Sequence, residues 1–118
     1  MARFRLSPLA RADLAQILAT RAEDWGVEGR RRYAAVLAAG LRKIAAQPNG
    51  PTTRPRPELL RGIRSFHLRN ARVEASGAKV RRPVHVLFYR AAGPGMIEIV
   101  RVLHERMEPS RHIGEDES

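Results

Sequence analysis

Six arginines and three histidines supply the residue types that hold phosphate and move protons. Arg61, Arg64, Arg69, Arg81, Arg82 and Arg101, with His67, His85 and His104, could grip a phosphodiester and shuttle the proton of a 2′-hydroxyl. Their spacing does not fix a general base against an acid. A histidine set between valines, as His85 is between Val84 and Val86, is more often packed than catalytic. His104, Glu108 and His112 stand four apart, which on a helix would align three metal ligands. Pro109 interrupts such a helix and His104 closes a strand-like run, so no metal is expected. No glycine-rich phosphate loop and no G-x-S-x-G frame is present, and no cofactor is expected. The absence of cysteine rules out disulfides and Cys-ligated zinc or iron–sulfur centres.

These residues must be positioned by elements that hydrophobic periodicity makes visible. Residues 3–6 read as a short strand, with Phe4 and Leu6 on one face. Ser7 and Pro8 then mark a helix start, as N-cap and first helical residue. The first helix is expected from Pro8 to about Trp25, burying Leu14, Ile17, Leu18 and Trp25 and leaving Arg11, Asp13 and Arg21 to solvent. Gly26 serves as its stop. A second helix, from about Val27 to Gln47, carries the stripe Tyr33, Val36, Leu37, Leu41 and Ile44. The Arg30-Arg31-Arg32 run on it could suggest major-groove DNA reading, but a charge run on an amphipathic helix is ordinarily a solvated face. A proline-rich connector follows, then strands at Ile63–Arg69, Pro83–Arg90 and Met96–Leu103, the last two joined by a Gly-Pro-Gly loop. Val84, Val86 and Phe88 point one way, Leu87 and Tyr89 the other, as in a central strand buried on both faces. On the last strand Ile97, Ile99, Arg101 and Leu103 are expected on one face, with Glu98, Val100, Val102 and His104 on the other. The expectation is therefore an α+β domain of order β-α-α-β-β-β: two N-terminal antiparallel helices packed on a mainly antiparallel four-stranded sheet. Residues 1–113 form one domain in this reading, and 114–118 an acidic, frayed tail.

With 118 residues, 43% hydrophobic and 29% charged, the chain has the composition of one folded domain. Its net charge of +10 is unevenly placed. Residues 1–51 carry nine bases and four acids, 52–90 ten and two, and 91–118 three and six. The positive field gathers in the middle third and calls for a polyanionic partner. Twenty of the 22 bases are arginine, but Ala, Gly and Pro are abundant as well, so a codon bias explains that usage equally. No apolar run is long enough to span a bilayer, and the opening residues hold no apolar core of a signal peptide; a cytoplasmic protein without membrane contact is expected.

Several segments together resemble the ParE-type toxins of the RelE/ParE superfamily. They are Phe4-Arg5-Leu6-Ser7-Pro8-Leu9-Ala10-Arg11-Ala12-Asp13-Leu14, Trp25-Gly26 followed by Tyr33 and Leu37, and Leu60-Arg61-Gly62-Ile63-Arg64-Ser65-Phe66-His67-Leu68. The run His85-Val86-Leu87-Phe88-Tyr89-Arg90 and the ending Ile97-Glu98-Ile99-Val100-Arg101-Val102-Leu103-His104-Glu105-Arg106-Met107 complete the likeness, which covers most of residues 3–113. It implies the toxin of a type II toxin–antitoxin module, neutralised in a hetero-oligomer by an acidic, ParD-like antitoxin. ParE-like members are associated with poisoning DNA gyrase by contact. For that activity Arg101, His104, Glu105 and Arg106 are the candidate target contacts, on resemblance and position. RelE-like members cleave messenger RNA on the ribosome, commonly with a C-terminal tyrosine or histidine. In that alternative Arg64, Arg81, Arg101 and His104 would be catalytic, though both tyrosines, Tyr33 and Tyr89, lie elsewhere. An inert remnant kept as a binding module is a third reading. Residues 70–82 form a longer insertion than in compact ParE-like chains. An acidic segment folding onto a basic, apolar groove would use Leu14, Ile17, Leu18, Trp25, Tyr33 and Leu37 as anchors, against the plainer reading that they are core.

Overall fold

The structure, a computed structural model, describes residues 2–71 and 82–114. Strand β1 (Arg3–Leu6) leads into helix α1 (Pro8–Ala46); β2 (Arg54–Pro55), β3 (Arg64–His67), β4 (His85–Ala91) and β5 (Met96–His104) follow. Arg81, most of the 70–82 insertion and residues 115–118 lie outside the described residues.

The expected pair of helices is corrected to one helical span of 39 residues, interrupted only at Gly26 (φ 72, ψ −174). A straight helix of that length would run for about 58 Å, whereas the longest extent of the molecule is 37 Å. The span therefore folds at Gly26, whose backbone lies in a region essentially closed to residues with a Cβ. Gly29, one turn on, permits the bend: a Cβ there would stand 2.2 Å from Trp25 Cβ. A Cβ at Gly26 would meet nothing within 4 Å, so Gly26→Ala tests backbone strain alone. It is expected to cost roughly 1–3 kcal/mol, read as a lower urea midpoint with unchanged m-value; an unchanged midpoint would mean the bend does not depend on glycine.

The sheet is also corrected, from four mainly antiparallel strands to five in a mixed sheet of order β1-β5-β4-β3-β2. β1 pairs with β5 in parallel, Phe4 opposite Ile97 and Leu6 opposite Ile99, while the other pairings are antiparallel. α1 carries the chain from β1 at one edge of the sheet to β2 at the opposite edge, and the antiparallel β2, β3 and β4 then bring β5 back beside β1. β2 is a two-residue strand inside the proline-rich connector, too short to show any periodicity. β3 stops at His67 rather than Arg69, because the His67 side chain accepts from the Arg69 N–H (3.0 Å) and caps a 3₁₀ turn over Leu68–Asn70.

Ser7 caps α1 as its type predicts, accepting from the Ala10 N–H at 3.0 Å. Its hydroxyl also donates to the Val100 carbonyl at 2.7 Å. Val100 is a β-bulge residue: Tyr89 pairs with Ile99 and Phe88 with Arg101, so no β4 residue opposes it. One extra residue reverses the alternation beyond it. Ile97, Ile99 and Val102 therefore join Leu87, Tyr89, Phe66, Tyr33 and Val36 in the core under α1. Val100 and Leu103 pack on the other face with Phe88, Ile63 and Ile113. The expected facing of Leu103 with Ile97 and of Val100 with Val102 is thus overturned by the bulge. The two-faced burial expected of β4 holds, with Leu87 and Tyr89 on one side and Phe88 on the other.

Candidate functional site: a groove between the first helical limb and the sheet end

Asp13, Ile17, Arg21 and Trp25 recur every four residues, so they share one face of the first limb of α1. That face looks onto the ends of β4 and β5, and between them lies a cavity of about 500 Å³. Ile17, Trp25, Val84, Leu103 and Met107 give it apolar walls, and Arg21, His85, His104 and His112 supply polar atoms. Trp25 is 65% exposed and Met107 46%, so the groove opens beside two large unburied apolar side chains. Two large apolar side chains exposed beside one groove make it a candidate interaction site.

One wall is fixed by an ion pair. Asp13 takes two hydrogen bonds from Arg101, Nε at 2.8 Å and Nη2 at 2.9 Å, and a third from the Val102 N–H at 2.9 Å. β1 ends opposite Ile99; beyond that point no strand among the described residues flanks the outer edge of β5, and the Asp13 carboxylate takes its place. Arg101 also donates to the His112 carbonyl at 3.1 Å, tying the C-terminal turn to the sheet. Asp13 is thus not the solvent residue that its position suggested; its side chain is 14% exposed.

The floor is a histidine pair. His85 and His104 are register partners, and the bulge at Val100 turns His104 to the α1 side. Their rings meet edge-on at 5.5 Å, and His85 meets Tyr33 similarly at 5.4 Å. The Tyr33 hydroxyl oxygen accepts from the Val84 N–H (3.1 Å) and lies 2.6 Å from His85 Nδ1. Among the described residues His85 Nδ1 is the one acceptor within reach of the hydroxyl proton, which assigns that proton to Nδ1 and the His85 proton to Nε2. Arg21 lies over the Tyr33 ring, 3.8 Å from its centroid. Burial first, then the neighbouring His104 and Arg21, push the His85 imidazole down to about 4 from an ordinary 6.5. Between those values the unfolded chain binds a proton that the folded chain refuses. The contribution of His85 is thus complete above pH 6.5 and falls away towards pH 4, by at most about 1.4 kcal/mol per pH unit. Urea midpoints are expected to fall between pH 7 and pH 4.5, and less steeply in His85→Gln; equal slopes would show that another group governs the loss.

A second cluster sits on the opposite face. His67 Nδ1 accepts from the Arg69 N–H, so Nε2 donates to Glu105 Oε1 at 2.7 Å, while Arg82 reaches Oε2 at 3.1 Å. The His67 hydrogen bond, followed by the Arg82 charge, holds the Glu105 carboxyl below the usual carboxylate range.

The expected site residues separate accordingly. Among the anchors, Tyr33, Leu37 and Ile17 are buried in the core, Leu14 and Leu18 are half-buried against it, and Trp25 is open to solvent. Trp25 therefore leaves the buried stripe in which periodicity placed it. Among the target contacts, Arg101 and Glu105 are held in the pairs above, His104 is half-buried and Arg106 is exposed. Arg64 is bound to the Thr53 hydroxyl (2.7 and 3.2 Å). His104 and Arg101 line the groove, whereas Arg64 does not. Arg21, His85 and Met107 are groove residues that sequence reading did not assign there. The four-residue spacing from Asp13 to Trp25 was the available signal for the helical side, but the bulge that completes the floor has no such signature.

This fold and groove meet a known family. A sequence model of the family described as "ParE toxin of type II toxin-antitoxin system, parDE" matches residues 4–109. The chain belongs to the ParE toxin family. This ParE-family chain is 33% identical over 111 residues to Toxin ParE1 of Mycobacterium tuberculosis (strain ATCC 25618 / H37Rv), spanning 94% of this chain and 97% of that protein. It is 36% identical to Toxin ParE1 of Caulobacter vibrioides, with the same coverage. A solved structure titled "Chromosomal ParDE TA system from P. aeruginosa" superposes with a TM-score of 0.64 over 88% of this chain and 96% of that one. Its identity is 19%, so that likeness speaks for the fold alone. No described helix is long and apolar enough to cross a membrane.

Proposed function

We propose that this ParE-family chain is a toxin held inactive by a cognate acidic antitoxin docked in the groove, and that once released it inhibits DNA gyrase by direct contact. The open groove beside Trp25 and Met107, on a chain of net charge +10, supports antitoxin docking. Arg106, exposed beside half-buried His104 and exposed Met107, offers the contact patch for the target. Against an RNA-cleaving centre stands the sheet register. Arg64 lies opposite Tyr89 and His104 opposite His85, four residues apart along β4, or about 13 Å of strand. Arg101, the third described member of that set, has its charge compensated by Asp13. Among the described members of that set phosphate grip and proton carrier do not converge, which speaks against a general acid–base site.

Induction of the chain by itself is expected to stop growth, and co-expression of a small acidic protein encoded beside it to restore growth with formation of a co-purifying complex. Unimpaired growth on induction would contradict the toxin role. Arrest without relief by any neighbouring protein would contradict the docking half.

A further inference from the structure

The histidine pair at the groove floor is built as a donor site. His85 Nδ1 is taken by the Tyr33 hydroxyl and His104 Nδ1 by the Arg106 N–H at 3.1 Å, so in both rings the remaining proton sits on Nε2. Among the described residues neither Nε2 has a hydrogen-bond partner, and no partnerless side-chain nitrogen is sealed from solvent. Both N–H groups are therefore accessible in a cavity that both rings line. Arg21, held over Tyr33, brings a full positive charge to the same place.

We propose that His85, His104 and Arg21 form a carboxylate-binding point at the floor of the groove, and that its occupant is an acidic side chain on an otherwise apolar peptide segment. This rests on the reading of the groove as a protein-docking site. Two N–H donors and a guanidinium suit the two oxygens of one carboxylate, and charge assistance makes such bonds the stronger kind. The surrounding walls of Ile17, Trp25, Leu103 and Met107 suit the apolar remainder of the segment. A nucleic-acid strand fits less well. Asp24 stands exposed at the rim, Asp13 lines the wall with its charge already matched to Arg101, and a run of phosphates needs cations in series. A carboxylate seated there would favour protonation of His85, opposing the burial and the Arg21 charge that keep it neutral.

Trp25 is the only tryptophan, so its fluorescence reports the groove directly. The folded full chain is titrated with 4-phenylbutyrate, its uncharged match 4-phenylbutanamide, and phenyl phosphate. The acid is expected to bind at least about tenfold more tightly than the amide. That preference should vanish in His104→Phe and in Arg21→Met, each checked for unchanged circular dichroism, and partly return in His104→Gln, which keeps an N–H donor. Equal binding of acid and amide overturns the carboxylate point while leaving an apolar groove. Tighter binding of phenyl phosphate than of the acid overturns it in favour of a phosphate site. If no probe alters Trp25 emission, the carboxylate point and the groove as a docking site fall together.

Discussion

Asp13→Ala is expected to be among the most destabilising single changes in this protein, by about 3 kcal/mol, the lower end of the cost of breaking a buried ion pair. The substitution takes the carboxylate away from Arg101 and the acceptor away from the Val102 N–H. The Arg101 guanidinium, with a side chain 15% exposed, keeps its charge and its bond to the His112 carbonyl, and the Val102 N–H loses the acceptor that Asp13 supplies at an edge that β1 does not cover. Against a typical domain stability of about 5–15 kcal/mol this is a large fraction, and Tm should fall by about 10 °C. Asp13→Asn, which retains an acceptor for Val102, should lose roughly half as much. Adding Arg101→Met to Asp13→Ala should recover part of the loss, because the stranded charge disappears. A single Asp13→Ala variant within about 0.5 kcal/mol of the parent, as for an ordinary surface change, would show that the pair does not close this wall.

The second large effect is on binding. Trp25→Glu places a like charge against an acidic antitoxin and removes the largest exposed anchor of the groove. Because Trp25 is 65% exposed and stands just before the bend at Gly26, fold stability should change by no more than about 0.5 kcal/mol. Antitoxin affinity should fall by about 2 kcal/mol or more, a loss of roughly thirtyfold, as for a central aromatic contact. Calorimetric titration of the purified pair reads the affinity, and the urea midpoint of the toxin reads the stability. A variant that binds as tightly as the parent removes Trp25 from the interface; one that unfolds shows it to be a packing residue despite its exposure.

How far the sequence foretold this site depends on the kind of signal each part leaves. The Ser7-Pro8 helix start, the Tyr33, Val36, Leu37 and Ile44 stripe and the two-faced burial of β4 are local patterns, and each appears in the structure. Gly26 reads as a break, but the turns on either side of it belong to one helical span rather than two helices. Pairing partners are not local: nothing in Arg3–Leu6 states that it lies parallel to β5, and the two residues of β2 are too few to show alternation. The bulge was the costliest omission. Strict alternation put His104 with Val100 and Glu98, whereas one unpaired residue places it beside His85 under α1. The resemblance to ParE-type toxins pointed to the family, while the proposed docking groove emerges only from the register.

Gyrase inhibition without RNA cleavage is the central claim, and one paired assay tests it most directly. Purified toxin is added to DNA gyrase with relaxed plasmid, and in parallel to ribosomes translating a defined messenger RNA. The account predicts loss of supercoiling with accumulation of cleaved DNA, and an intact messenger. Undiminished supercoiling beside a messenger cut in a ribosome-dependent manner would contradict it.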